Sequence, residues 1–169
     1  MRRDRPAPTE RLVFRTWRDD DLPLALGLFG DPRVTAQVGG PFDDAQVRAR
    51  LAAELASQAA NGYQYWPLFC GEAHVGCCGL KPRADAMLEL GFYIGADHWG
   101  RGFATEAARS VIAHAFDVIG VPALFAGHHP ENRGSQRTLE KLGFRYTHHE
   151  LYPPTGLQHP GYVKQKTPT

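Results

Sequence analysis

The stretch from Met87 to Ile119 constrains this chain more than any other. Met87–Ile94 reads as a strand and Gly95–Gly102 as a glycine-rich loop. Ala104, Ala107, Ala108, Val111, Ile112, Ala115, Phe116 and Ile119 then recur at helical spacing and make one apolar stripe. A helix entered through Trp99-Gly100-Arg101-Gly102 has free N–H groups in its first turn, at Phe103, Ala104 and Thr105, and the helix dipole adds partial positive charge there. Gly100 and Gly102 remove side chains where the backbone must come close to something, and Arg101 adds a full charge. Together these describe a cradle for an anion, most simply a phosphate or pyrophosphate. The plainer alternative is a loop that only turns the chain. No Lys-Ser or Lys-Thr follows Gly102, so the loop is not a P-loop, and Thr105 stands where the third glycine of a dinucleotide fingerprint would be.

The remaining elements follow from periodicity and punctuation. Residues 1–10, with two prolines and mixed charge, read as a loose arm before a single domain at 11–169. Arg11–Trp17 reads as a strand. Asp19–Asp21 offer N-caps for a short helix with Leu22, Ala25, Leu26 and Phe29 on one face, ended by Gly30. Val34–Phe42 reads as a loop. Asp43 and Gln46 predict a capping box, opening a helix with Val47, Leu51 and Leu55 that stops at Asn61-Gly62. Gln64–Cys70 and Ala73–Leu80 form a hairpin through Gly71-Glu72, and Met87–Ile94 completes a three-strand meander. Val121–Gly127 is a strand. Asn132 caps a helix to Leu142, with Gly143 as its C′ residue, and Phe144–Leu151 and Gly161–Lys166 are the final strands. This order gives an α/β (α+β) domain around one sheet.

Composition excludes several function classes. A chain of 169 residues fits one domain, and a net charge of +1 with no basic block gives nucleic-acid binding no support. The apolar runs are too short to cross a membrane, and no apolar segment follows the N-terminal arginines, so a cytoplasmic protein is expected. Cys77 and Cys78 are adjacent and face opposite sides of a strand; with Cys70 they read as reduced, mostly buried thiols. The histidine pairs His128-His129 and His148-His149 do not have metal-chelating spacing, and no metal is expected.

Two side chains carry chemistry. Glu89 is the only charged residue of Met87–Ile94 and shares a face with Gly91 and Tyr93. A carboxylate in an apolar strand is expected to have a raised pKa and to serve as a general base; the alternative is a strand-end glutamate reaching solvent. Ser135 falls in the first turn of its helix, where a local backbone hydrogen bond is the alternative to a functional role.

Trp99–Ala107, Asn132-Arg133-Gly134-Ser135 and Leu139–Phe144, in this order and on strand–loop–helix, resemble the GCN5-related N-acetyltransferase (GNAT) superfamily, in particular the RimJ/RimL-like branch of ribosomal-protein N-terminal acetyltransferases. Leu12–Asp20 and Trp66–Leu80 share the likeness, which runs from Arg11 to Phe144. The resemblance implies a mostly antiparallel mixed sheet with helices on both faces and a splay between two central strands. It implies acetyl-CoA as co-substrate, held by Trp99, Gly100, Arg101, Gly102, Phe103, Ala104, Thr105, Asn132 and Ser135, with a backbone N–H near Tyr93 and Ile94 polarising the thioester carbonyl. It further implies an amine acceptor (a protein N-terminus or a small molecule), faced by Val34–Phe42 and Leu151–Tyr162, with Glu89 as base. A homodimer is compatible with it. Trp99 stands where many members carry Gln or Arg, and Leu139 where many carry a tyrosine acid; the second departure moves the acid's role to Ser135. The competing reading is a coenzyme A-binding sensor or protein-partner module, which would need the cradle but neither Glu89 nor Ser135.

Overall fold

The computed structural model describes residues 3–168. Seven strands form one sheet in the order β1-β2-β3-β4-β5-β7-β6. They are β1 (Val13–Phe14), β2 (Tyr65–Cys70), β3 (Ala73–Pro82), β4 (Leu88–Ile94), β5 (Ala123–Gly127), β6 (Arg145–Tyr152) and β7 (Leu157–Gln165). The β4–β5 pair is parallel and the other neighbours are antiparallel. The helices are α1 (Leu22–Phe29), α2 (Pro32–Thr35), α3 (Asp44–Asn61), α4 (Phe103–His114) and α5 (Arg133–Lys141).

Strand alternation divides the core into two layers. Tyr65, Cys77 and the partly buried Tyr93 pack with Trp17, Phe29, Val47 and Leu51 from the segment before β2. Trp66, Leu68, Cys78, Leu80 and Leu90 point the other way, onto Phe103, Ala107, Val111, Leu139 and Phe144. Adjacent Cys77 and Cys78 thus enter opposite layers, and all three cysteines are free. Helices cover both faces, as the resemblance implies.

Local chemistry explains where the helices begin and end. The capping box is present in full: Asp43 Oδ1 accepts from the Gln46 amide at 2.8 Å and Gln46 Oε1 from the Asp43 amide at 2.9 Å. Such caps contribute about 1 kcal/mol. Gly62 and Gly120 end their helices in the left-handed conformation. The α4 stripe does continue to Ile119, but Ala115–Ile119 is a π-helical turn rather than α-helix.

Three details differ from the sequence reading. Val34–Phe42 is not all loop: Asp31 accepts from the Arg33 amide, Pro32 sits at the first helical position, and α2 followed by a 3-10 turn at Ala36–Val38 results. Asp21 precedes α1 without capping it through its side chain; its carboxylate binds Arg15 at 2.7 and 3.0 Å and the Arg18 amide at 2.8 Å. The segment expected to be a loose arm bonds to the body. The Asp4 carbonyl accepts from Trp66 Nε1 and Gln58 Nε2, the Ala7 carbonyl from Ser110, and Thr9 donates to Glu106. Among the described residues no helix is long and apolar enough to cross a membrane.

Candidate functional site

The site begins where the sheet splits. β4 and β5 pair only at Leu88–Leu124 and Glu89–Phe125. From Leu90 onward the two parallel strands are unpaired, which is the splay the resemblance implies. The gap opens into a cavity of about 860 Å³, within the range that holds a small molecule or cofactor.

The loop after β4 forms one end of this cavity. Gly100 and Gly102 have φ of +77° and +78°, a backbone state that side-chain-bearing residues rarely adopt. A Cβ at Gly100 would meet nothing within 4 Å. Both glycines are therefore required by backbone conformation; the space outside Gly100 is open, and Gly102 faces the Arg11 guanidinium, which a Cβ would meet at 3.6 Å. Among the described residues no side chain caps the N-terminus of α4, so its first amides are left unused beside the cavity, which is lined by Gly100, Gly102, Phe103, Ala104 and Thr105. Trp99 also lines it; its indole N–H donates to the Ile94 carbonyl at 2.8 Å and pins the loop to the end of β4. Arg101 lies with its guanidinium 4.6 Å from the centre of the buried Phe103 ring. Arg11, which the sequence reading missed as a site neighbour, lies at the same distance from that ring and pairs with Glu106 at 2.7 Å. For Glu106, burial alone would raise the carboxyl pKa; the bonds from Thr9, the Arg11 amide and the Arg11 side chain outweigh it and hold it below its ordinary value. The Glu106 carboxylate, in the first turn of α4, thus stays ionised and its charge is balanced by Arg11.

α5 supplies the opposite wall. Asn132 caps it, accepting from the Ser135 amide at 3.0 Å. The Ser135 hydroxyl makes no hydrogen bond among the described residues and lines the cavity, so it is not spent on a local backbone contact. Leu139 is buried in the core and touches the cavity wall, where its side chain has no proton to give.

Glu89, Tyr93 and Ile94 line the same cavity. Glu89 stands at the fork of β4 and β5, as its strand position suggested, but it is not a lone charge among hydrophobes. The β3–β4 register sets Lys81 opposite it, and the ammonium pairs with the carboxylate at 3.0 Å. Tyr65 and Tyr152 were also missed. Both line the cavity; burial pushes the Tyr152 phenol up to about 12, with Tyr93 and Glu89 adding to it. Arg33, Val34, Leu151 and His159 border the same space, so both segments expected to face an acceptor reach it. Glu150, also on the wall, is bound by Arg83 at 2.9 Å. Among the described residues no group of three His, Cys, Asp or Glu could hold a metal ion.

Cavity, cradle and carboxylate thus share one strand–loop–helix unit. The sequence model of the acetyltransferase (GNAT) domain matches residues 11–145. An uncharacterized N-acetyltransferase of Bacillus licheniformis, p20, is 29% identical over 144 residues, 81% of this chain and 80% of the relative. The crystal structure of an acetyltransferase from Agrobacterium tumefaciens superposes with a TM-score of 0.82 at 27% identity, over 96% of this chain and 95% of that one. The ribosomal L7/L12 alpha-N-protein acetyltransferase RimL, solved in complex with coenzyme A, shares the fold with a TM-score of 0.79 at 13% identity, over 94% and 96% of the two chains. The chain belongs to the GNAT family of acetyltransferases.

Proposed function

We propose that this protein transfers an acetyl group from acetyl-CoA to a primary amine by direct attack in a ternary complex. One observation carries the reading: the uncapped N-terminus of α4, the free Ser135 hydroxyl and the Glu89 carboxylate all line a single cavity that opens where β4 and β5 part. The open space over Gly100 and the unused amides of α4 fit a pyrophosphate. RimL, solved with coenzyme A, has the same fold.

The residues divide the work by position. The amides of Arg101–Thr105 hold the pyrophosphate, and Asn132 fixes the start of α5 beside it. The thioester lies along the free edge of β4, where a backbone N–H near Tyr93 and Ile94 polarises its carbonyl. The amine nitrogen attacks the carbonyl carbon and forms the C–N bond. Glu89 takes the proton the nitrogen loses, directly or through water. The C–S bond breaks, and Ser135 protonates the departing thiolate before regaining a proton from solvent. The acceptor is a protein N-terminus or a small-molecule amine, and the RimJ/RimL-like likeness favours the former. The purified protein, acetyl-CoA and a panel of amines form the test. Release of free thiol that depends on the amine supports transfer; an acetyl-CoA-dependent rise in melting temperature without thiol release would indicate a binding module instead.

A further inference from the structure

Tyr65 occupies a place that only the register of three strands creates. It pairs with Gly79 on β3, and Gly79 pairs with Gly91 on β4. Cross-strand partners share a face, so this row runs Tyr65–Gly79–Gly91 on the side that also carries Glu89 and Tyr93. With no side chain at either glycine, the ring lies flat across the sheet. A Cβ on Gly91 would come within 2.1 Å of the Tyr65 hydroxyl and 2.5 Å of Cζ. The hydroxyl thus sits over β4 at Gly91, between the positions of Glu89 and Tyr93.

The ring is held firmly and the hydroxyl is not. The Tyr65 amide donates to Glu54 at 2.9 Å and its carbonyl accepts from Trp17 Nε1 at 2.6 Å. The Arg50 guanidinium lies 4.9 Å from the ring centre. Tyr65 is only 4% exposed, yet its hydroxyl has no hydrogen-bond partner among the described residues, and the residue lines the cavity. The hydroxyl is not itself sealed off; it opens onto the cavity with its donor and acceptor unused. Burial pushes the phenol well up, and the neighbouring Glu89 carboxylate adds to the effect, so the group stays a neutral donor and acceptor.

We propose that the Tyr65 hydroxyl and the Glu89 carboxylate together form the subsite for the acceptor nitrogen, and that the ligand is a primary amine arriving as an ammonium. Such a group has three N–H donors. One can go to each oxygen; after Glu89 removes a proton, the N–H contact to Tyr65 holds the nitrogen in place while its lone pair turns to the thioester carbonyl. Tyr65 loses and gains no proton. The proposal rests on the acetyltransferase reading above.

The test is steady-state kinetics of wild type and Tyr65→Phe with one primary amine, alongside the acetyl-CoA-induced melting shift. Tyr65→Phe keeps the ring and its packing. The expected result is a loss of about 10- to 100-fold in kcat/KM for the amine, the usual effect of removing a hydrogen bond to a charged group. The KM for acetyl-CoA, the melting shift and the melting temperature of the free protein stay at wild-type values. Gly91→Ala, which drives a methyl into the hydroxyl's place, gives the same loss in kcat/KM for the amine together with a lower melting temperature, because the methyl also overlaps the ring. An acceptor kcat/KM within about threefold of wild type in either variant overturns the subsite. So does a loss of acetyl-CoA binding or of melting temperature in Tyr65→Phe, which would mark the hydroxyl as structural. If wild type transfers acetyl to no amine, the acetyltransferase reading itself fails and the subsite falls with it.

Discussion

Glu89 and Phe125 are the last residues to pair before β4 and β5 separate, so the carboxylate stands at the apex of the cleft. The end of the β4–β5 pairing therefore fixes where the cavity opens and where the carboxylate stands in it.

Gly102→Val should abolish stabilisation by acetyl-CoA. Gly102 has a φ of +78°, at which a β-branched side chain is strained, and its Cβ would lie 3.6 Å from the Arg11 guanidinium at the start of α4. The readout is the difference in melting temperature with and without acetyl-CoA, which isolates binding from any cost to the free protein. An unchanged difference places the cradle elsewhere.

Ser135→Ala should lower turnover by about 10²-fold while leaving acetyl-CoA affinity within a few-fold. Among the described residues the hydroxyl has no hydrogen-bond partner, so no internal bond is lost with it. Weakened acetyl-CoA binding with normal turnover would instead make Ser135 a binding residue.

Asp21 ties stability to pH. Burial alone would raise its pKa, but the hydrogen bonds from Arg15 and the Arg18 amide outweigh this and hold it below its ordinary value of 3.8. A depressed carboxyl pKa stabilises the fold above the unfolded-state value, and that contribution disappears as pH falls through the folded-state value. Stability should therefore fall as pH drops below about 4. Asp21→Asn should lose about 1–3 kcal/mol at neutral pH and flatten this dependence. Urea unfolding at neutral and acidic pH measures both; a variant as stable as wild type at neutral pH would show the Arg15 pair to be unimportant.

Much of this arrangement is legible from sequence because it is local. The capping box at Asp43 and Gln46, the Asn132 cap and the strand–loop–helix unit each depend on residues within a few positions of one another. Glu89 could be placed on a face by alternation alone. Its partner Lys81 could not, because the β3–β4 register decides that pair. The Tyr65–Gly79–Gly91 row needs two registers at once. Arg11 and Glu106 meet only because the segment before β1 passes over α4, ninety-five positions later in the chain. Asp21 read as an N-cap because its spacing was right, and Arg15 competed successfully for its carboxylate.

Thiol reactivity checks the two-layer core. Burial pushes the Cys77 and Cys78 thiols far up, and they sit in opposite layers, whereas Cys70 is half-buried. A thiol reagent should modify Cys70 first in the folded protein and reach the other two only on unfolding. Early modification of Cys77 or Cys78, read by peptide mass mapping, would contradict that packing.

Turnover of wild type and Glu89→Gln across pH, with one good amine acceptor at saturating acetyl-CoA, tests the central claim most directly. The glutamine keeps the shape of the side chain and cannot take the proton. The account predicts a loss of about 10²–10⁴ in turnover at neutral pH, shrinking as pH rises and more of the acceptor is already neutral, with the acetyl-CoA melting shift unchanged. Turnover within about threefold of wild type at neutral pH would contradict it, and proton removal would then belong to another group or to solvent.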